Sequence, residues 1–264
     1  MKISTTFRKL LRHPGVKLWA ALVWLIIWQL LYELTNEDRR DLLLSSPIQV
    51  ASELWRMWGT GDYWQRVLFS SLDVMSGMLM GAFLGTLLGS IAYFASFVRE
   101  LFKPLISVIR SIPVVTFTIM AIYWVGYREL GMFVAFLICF PVFYSHSLSG
   151  LGMADEKLLE MACVFKFSFF RKFKSIYLPP LITQLFAAGE VAVGLAWKSG
   201  IAAEYIAMVT NILSIGAGLY ASKGRWSTAE TLAWTVTIVA LSALFSALFR
   251  ALLCFFSRKW GSAK

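Results

Sequence analysis

The chain has 264 residues, of which 58% are hydrophobic, 16% are aromatic and only 15% are charged. This composition excludes an ordinary soluble domain of this size and indicates a membrane protein. The formal net charge of +10 is compatible with a nucleic-acid partner or with a membrane topology signal, so the positions of the cations must decide between them. The three cysteines are far apart and show neither a metal-ligand spacing nor a disulfide framework.

Six apolar segments are long enough to cross a bilayer, whose core of about 30 Å needs roughly 17 to 25 apolar residues in a helix. They lie at about residues 18–34, 68–95, 104–126, 130–148, 181–206 and 231–254. The first segment is too long and too rich in tryptophan for the apolar region of a secretory signal. We therefore predict an all-α, polytopic membrane protein with six transmembrane helices and with both termini on one side.

The lysines and arginines are distributed unevenly between the two sides of this predicted bundle. Sixteen of the 25 lie in the two terminal segments, at the end of the last span and in the loops after the second and fourth spans, seven lie in the other loops, and Arg110 and Lys198 lie within spans. Because cytoplasmic loops carry an excess of Lys and Arg, we predict a multi-pass membrane protein with both termini in the cytoplasm. Topology then accounts for the charge, and no nucleic-acid partner is expected.

Two surface helices are predicted outside the spans. Residues 5–15 form an amphipathic pattern suited to the inner membrane surface, and residues 46–58 begin with Ser46 as N-cap and Pro47 at the first helical position. The predicted division is a cytoplasmic N-terminal helix (1–17), the first span (18–34), an external segment with a surface helix (35–67), a core of five spans (68–254) and a cytoplasmic tail (255–264).

The second span contains a row of four glycines at a spacing of four, and the third contains a proline. The glycines, which are Gly77, Gly81, Gly85 and Gly89, lie on one helix face and allow a close backbone approach. They predict either a packing seam within the chain or a contact with another subunit. In the third span, "RSIP" from Arg110 through Ser111 to Pro113 predicts a kink, which is either only structural or beside a translocation pathway.

The fifth span carries three charges, Glu190, Lys198 and Glu204. Charges within a span usually face protein or a water-filled cavity. Glu190 and Lys198 are roughly 12 Å apart along the helix axis at 1.5 Å per residue, too far for a direct pair. Each charge therefore needs a partner elsewhere. Lys198 and Glu204 either reach the outer interface, or Lys198 faces the pathway and offers a positive site to an anion.

The loop from 153 to 180 is basic and rich in aromatic residues. Asp155 can cap a helix at about 156–165, and Ser168 can cap a second at about 169–178, which the prolines at 179 and 180 would end. The pattern predicts a helix-turn-helix on the inner membrane face.

The residues of this loop resemble the cytoplasmic "EAA" loop of binding-protein-dependent ABC importer permeases. The matching residues are Glu160, Ala162, Ile176, Leu178 and Pro179. Met161 stands where the family has the first of its two alanines, and Lys166 stands where it has a glycine. The first departure places a bulkier side chain on the docking helix, and the second removes the residue that adopts positive φ most easily.

The rest of the chain resembles the nitrate, sulfonate, taurine and bicarbonate branch of these permeases over nearly its full length. The matching stretches are "SSPIQV" (45–50), "SSL" (70–72) with Gly77, "RSIP" (110–113), "FP" (140–141), "AW" (Ala196 and Trp197), "AE" (203–204) and "IGAGLY" (215–220). Asp73 stands where the branch usually has arginine. The branch also includes relatives proposed for thiamine pyrimidine precursors.

The resemblance implies a multi-pass type I importer permease of the bacterial plasma or inner membrane, and this permease performs no chemistry itself. Its implied partners are an ATPase subunit dimer that binds ATP and Mg, an external substrate-binding protein and a second copy of the chain, all at a lipid membrane. No cofactor is expected in this chain. The loop around Glu160 would transmit the ATPase motion, and the candidate pathway residues are Arg110, Ser111, Pro113, Glu190, Trp197, Lys198 and Glu204.

The sequence alone leaves three alternatives to an anion importer. The same importer class could carry a thiamine-precursor-like ring compound, which the aromatic content would suit. A secondary transporter could use Glu190 and Lys198 for proton coupling. An intramembrane enzyme could use Glu190, Glu204 and His146, although no catalytic or metal-binding spacing joins them.

Overall fold

A computed structural model describes residues 14–35, 44–209 and 211–261, and these ranges fold into helices joined by short connections. The helices are α1 (Pro14–Leu34), α2 (Pro47–Trp58), α3 (Gly61–Phe94), α4 (Ser96–Ser111), α5 (Val114–Val125), α6 (Leu130–Gly152), α7 (Glu156–Val164), α8 (Phe169–Lys172), a π-helical turn (Phe173–Tyr177), α9 (Leu178–Ile206), α10 (Ile215–Gly224) and α11 (Thr228–Gly261). Residues 1–13 of the predicted N-terminal helix and residues 262–264 of the predicted tail lie outside the described ranges.

The apolar helices agree with the predicted membrane fold. Within the described ranges, α3, α6, α9 with the turns before it, and α11 are each long and apolar enough to cross a membrane. The pair α4 and α5 meets the same criterion together, and α1 adds the apolar stretch Leu22–Leu34. The all-α, multi-span fold is confirmed, and the six predicted segments correspond to α1, α3, α4 with α5, α6, α9 and α11.

The third predicted span, 104–126, is not one helix. The axes of α4 and α5 are bent by 110° at a break between Ser111 and Val114. Proline at 113 forces the preceding residue into extended backbone, and Ile112 has φ −75° and ψ 128°. The sequence therefore located the break correctly, but the structure has two short helices where a kink within one helix was predicted.

Other boundaries also differ from the predicted ones. Helix α3 begins at Gly61 rather than near 68, because Tyr63 and Val67 in its first turns are buried and extend its packing surface. Helix α11 continues to Gly261, through most of the predicted tail, because no proline or glycine interrupts the sequence before that residue. The caps of α2 are as predicted: Ser46 and Gln49 form a reciprocal capping box, and Pro47 opens the helix.

The core is built around α6, which packs against α3 on one side and α9 on the other. The glycine row of α3 is buried against the α6 backbone. A Cβ on Gly85 would lie 2.6 Å from the Phe140 carbonyl oxygen, and one on Gly89 would lie 2.6 Å from the Tyr144 carbonyl oxygen. The row therefore serves contact between helices of the same chain in this structure.

The bundle has two distinct ends. The loop end carries α7, α8 and the π-helical turn, where Tyr177 contacts Tyr93 and Phe94 at the end of α3, with ring centroids 5.9 and 5.4 Å apart. The opposite end carries α2, the turn before α6, and α10. Helix α4 packs against α3 and α6 toward the loop end, and α5 packs against α6 and α9 toward the opposite end.

Candidate functional site

Helix α7 is the candidate coupling helix. Asp155 caps it as predicted, and its carboxylate accepts a hydrogen bond from the Lys157 amide at 2.9 Å. Glu160 is exposed, whereas Ala162 is 0% exposed. Met161 is 41% exposed, so its larger side chain lies at the surface and not in the tight contact that Ala162 makes. The helix thus presents a carboxylate and apolar side chains outward.

Lys166 lies in the left-handed region, with φ of +50°. It ends α7 in a Schellman arrangement: the Phe167 amide donates to the Ala162 carbonyl at 2.9 Å, and the Lys166 amide donates to the Cys163 carbonyl at 3.1 Å. The chain therefore keeps the glycine-type backbone at the position where the resembling permeases have glycine. A residue with a Cβ adopts this conformation at a cost of about 1–2 kcal/mol.

We expect Lys166→Gly to raise the free energy of unfolding by up to about 1 kcal/mol, because glycine relieves the left-handed strain but enlarges the entropy of the unfolded chain. The measurement is the thermal midpoint of the purified protein in detergent. Lys174→Gly, in the π-helical turn, is the matched control and should lower the midpoint. A lower midpoint for Lys166→Gly would contradict the assignment of strain to this residue.

The second predicted loop helix does not end at the double proline. Ser168 caps α8 as predicted, through a bond from the Arg171 amide at 3.4 Å. The chain then continues through the π-helical turn into α9, where Pro179 and Pro180 occupy the first turn. Proline is tolerated there because first-turn amides have no partner within the helix. Leu178 and Pro179 therefore join the loop directly to a spanning helix.

Glu204 is buried, with 7% of its surface exposed, and lies at the N-terminus of α10. Its Oε2 accepts hydrogen bonds from the Gly216 amide at 3.0 Å and from the Ser70 hydroxyl at 2.8 Å. The Ser70 oxygen in turn accepts the Ile215 amide at 2.8 Å, and Ser214 accepts the Ala217 amide at 3.0 Å.

The first three amides of α10 are thereby all satisfied, two of them through α3 and α9. A carboxylate is also favoured by the positive end of the helix dipole. Of the alternatives that the sequence left open, the one in which Glu204 reaches the outer interface does not hold, because its side chain is buried among these groups. One part of this hydrogen-bond network was visible in the sequence, namely the "IGAGLY" stretch after Ser214. The sequence did not show that its partners would come from α3 and α9.

Lys198 lies in a cleft of about 330 Å³ between α9 and α11. Trp197 and Arg250 line the same cleft. Trp197 is 0% exposed and its indole N–H has no hydrogen-bond partner among the described residues. Glu190 forms an ion pair with Arg250 of α11, with 3.6 Å between Oε1 and Nε. This agrees with the prediction that Glu190 needs a partner on another helix. Lys198 has no carboxylate partner within the described ranges.

Arg110 and Ser111 line a different cleft, between α4 and α6. The Arg110 guanidinium donates from Nη2 to the Pro141 carbonyl at 2.9 Å and to the Ser145 hydroxyl. Pro113 lies at the break that follows. The predicted pathway residues therefore do not meet at one point of a single chain: they divide among two clefts and the α10 cap.

The residues of the alternative intramembrane enzyme also lie apart. His146 contacts the Gln184 side chain at 3.1 Å toward the loop end, whereas Glu204 lies at the opposite end. Over the part of the chain that the structure describes, no cluster of three His, Cys, Asp or Glu side chains could hold a metal ion. The sequence analysis did not identify Arg99, Lys103 and Tyr144 as residues of the α4–α6 cleft. The spacing of Arg99 and Lys103 relative to Arg110 could have indicated that the three cations share one helix face.

The family model for the binding-protein-dependent transport system inner membrane component matches residues 77–260. The chain belongs to this family. The match covers α3 from its glycine row, both clefts, the α7 loop and α11 up to its last turn. The protein is therefore a multi-pass inner-membrane transport subunit of the ABC importer type, in the nitrate and sulfonate branch, and is not itself an enzyme.

Curated relatives place this permease in the same branch. It is 25% identical over 164 residues to the putative aliphatic sulfonates transport permease protein SsuC of Bacillus subtilis, covering 61% of this chain and 59% of the relative. It is 28% identical to the SsuC protein of Escherichia coli, covering 81% and 78%. It is 27% identical to the nitrate import permease protein NrtB of Leptolyngbya laminosa, covering 87% and 82%.

Proposed function

We propose that this permease carries a small organic or inorganic anion, such as a sulfonate, taurine, nitrate or bicarbonate, into the cell. The observation that carries the proposal is that Arg110 and Lys198, two of the three cations within the predicted spans, have no carboxylate partner within residues 14–35, 44–209 and 211–261, whereas the third, Arg250, pairs with Glu190. An unpaired cation within a membrane usually marks a binding site or pathway. The relatives named for sulfonate and nitrate support the same substrate class.

The chemistry of both clefts favours an anion over a neutral ring compound. Each cleft contains cations and serine hydroxyls and only one aromatic ring, Tyr144 in one and Trp197 in the other. A ring compound of the thiamine-precursor kind gains binding energy by stacking on aromatic side chains, and each cleft offers few of them. The other aromatic side chains that the structure describes lie outside these two clefts.

The proposed energy source is ATP bound with Mg by a separate ATPase dimer, which docks at α7. Glu160 offers a carboxylate to a basic or polar group, and the exposed side chains of Met161 and Val164 offer apolar contact. Motion of α7 would reach the spans by two routes. One is the rigid link through Leu178 and Pro179 into α9, and the other is the ring contact of Tyr177 with the end of α3.

The remaining parts of the proposed assembly are a second copy of this chain and an external substrate-binding protein. The loop end faces the cytoplasm, in agreement with the excess of lysine and arginine on that side. Both termini are then cytoplasmic. The external protein would meet the opposite end, where α2 packs on α11 and the turns before α6 and α10 lie.

The test is affinity purification of the tagged chain from its native membrane, followed by identification and quantification of the proteins that accompany it. We expect an ATPase subunit in equal amount. We also expect ATP-driven uptake of a sulfonate or nitrate by vesicles that contain the complex with its binding protein. A chain that purifies alone, or uptake that continues without ATP and collapses with the proton gradient, would overturn the proposal.

A further inference from the structure

The α4–α6 cleft has a volume of about 580 Å³ and lies toward the loop end. Three cations line it, and three hydroxyl-bearing residues complete its polar lining. These residues are Arg99, Lys103, Ser107, Arg110, Ser111 and Tyr144. A cleft of this size admits a small oxyanion with a short organic group.

The cations follow from the register of α4. Arg99, Lys103 and Arg110 are separated by four and seven residues, which places them on one helix face. They extend over roughly 16 Å of the helix at 1.5 Å per residue. Among the described residues only Glu100 pairs with any of them, at 3.7 Å from the Lys103 amine, and both side chains of that pair are largely exposed. The cleft therefore carries excess positive charge.

Arg110 is held in place by α6. Both of its hydrogen bonds, to the Pro141 carbonyl and the Ser145 hydroxyl, come from the same nitrogen, Nη2. No bond from Nε or Nη1 to another described residue is formed. A guanidinium fixed at one corner presents its remaining N–H groups in a fork that matches a planar or tetrahedral oxyanion.

Tyr144 adds a second, independent observation. Its side chain is 3% exposed and lines the cleft, and its hydroxyl has no hydrogen-bond partner in the described part of the chain. Buried hydroxyls are nearly always partnered. The ring is held between Phe102 and Phe140, with centroids 6.4 Å away in each case. An oxyanion bound in the cleft would accept a hydrogen bond from this hydroxyl.

We propose that the α4–α6 cleft is an anion-binding site that takes a small oxyanion group through Arg110, Tyr144 and the Arg99–Lys103 pair of cations. The oxyanion group is either that of the transported solute or the phosphate of an anionic lipid. This inference deepens the proposed function and rests on it only for the identity of the occupant. The site itself follows from the residues of this chain.

The experiment uses trifluoromethanesulfonate as the probe and follows its fluorine NMR signal with the purified full-length chain in its complex. We expect saturable line broadening with the unaltered chain. Arg110→Gln should weaken binding about tenfold or more, because the neutral amide cannot form the charge-assisted hydrogen bonds that a guanidinium donates to an oxyanion. Lys223→Gln, which removes one cation at the opposite end, is the matched control and should leave binding unchanged.

Tyr144→Phe separates binding from folding. Loss of a buried hydroxyl that has no protein partner should not lower the thermal midpoint of the protein without ligand. It should nevertheless weaken probe binding by about two- to tenfold. Binding that is unchanged in both Arg110→Gln and Tyr144→Phe would overturn the inference.

Two further measurements distinguish the possible sources of the oxyanion. A phospholipid that remains bound in native mass spectrometry, is lost in Arg110→Gln and competes with the probe would support the site and assign it to lipid. Competition by the imported solute would support the site and assign it to the pathway. If the complex binds the probe in this cleft but imports neither sulfonate nor nitrate, only the proposed substrate is refuted. If import is normal but probe binding does not depend on Arg110, only this site is refuted.

Discussion

We expect Glu160→Arg to abolish ATP-driven uptake while the permease remains folded in the membrane. Glu160 is exposed on α7, beside the buried Ala162 that fixes the helix against its surroundings. Reversing its charge places a cation against the basic or polar group that the carboxylate would meet in the ATPase groove. A like-charge contact in an interface costs several kcal/mol, so we expect at least about a hundredfold loss of affinity for the ATPase subunit.

The measurements are the amount of ATPase subunit recovered with the tagged chain and the ATP-dependent uptake of the reconstituted complex. Glu156→Arg, one turn earlier on the same helix, is the control for net charge. It should have a much smaller effect, and the thermal midpoints of both variants should stay close to that of the unaltered chain. Normal uptake by Glu160→Arg would refute the docking role, and equal losses in both variants would assign the effect to the charge of the loop.

We expect Gly85→Leu to prevent correct packing of the bundle. Even a single Cβ at this position would lie 2.6 Å from the Phe140 carbonyl oxygen and 2.9 Å from the Phe143 Cβ. The nearest obstacle is backbone, which cannot rotate away as a flexible side chain can. Overpacking commonly costs about 1–3 kcal/mol and sometimes more, and a leucine adds three further carbon atoms to the clash.

The yield of monodisperse protein from detergent, followed by size-exclusion chromatography, measures this effect. Gly194→Leu provides the matched control, because Gly194 also lies in a spanning helix but a Cβ there would meet no described atom within 4 Å. It should give a normal yield, and Gly85→Ala should lie between the two. A normal yield for Gly85→Leu would mean that α3 and α6 can separate without loss of the fold.

Much of the α7 loop was readable from sequence because its determinants are local. Asp155 and Ser168 act on amides two or three residues away, so the caps follow from the order of residues alone. The left-handed backbone at Lys166 was also located, through the glycine of the resembling permeases. The double proline was misjudged, because proline ends a helix at an interior position but not in a first turn, and the sequence did not reveal where α9 starts.

The partners of the buried and intramembrane polar side chains, in contrast, could not be predicted from the sequence. Composition and the length of the apolar segments determined that the chain is an all-α membrane protein and where most of its spanning segments lie, because the backbone groups of a chain in lipid must be paired within helices. Only the tertiary structure decided that Glu204 caps α10 with Ser70 from a distant helix, that Glu190 pairs with Arg250, and that Lys198 and Arg110 lie in separate clefts. Those partners are remote in sequence, and their distances depend on how α3, α6 and α9 pack, which no local pattern encodes.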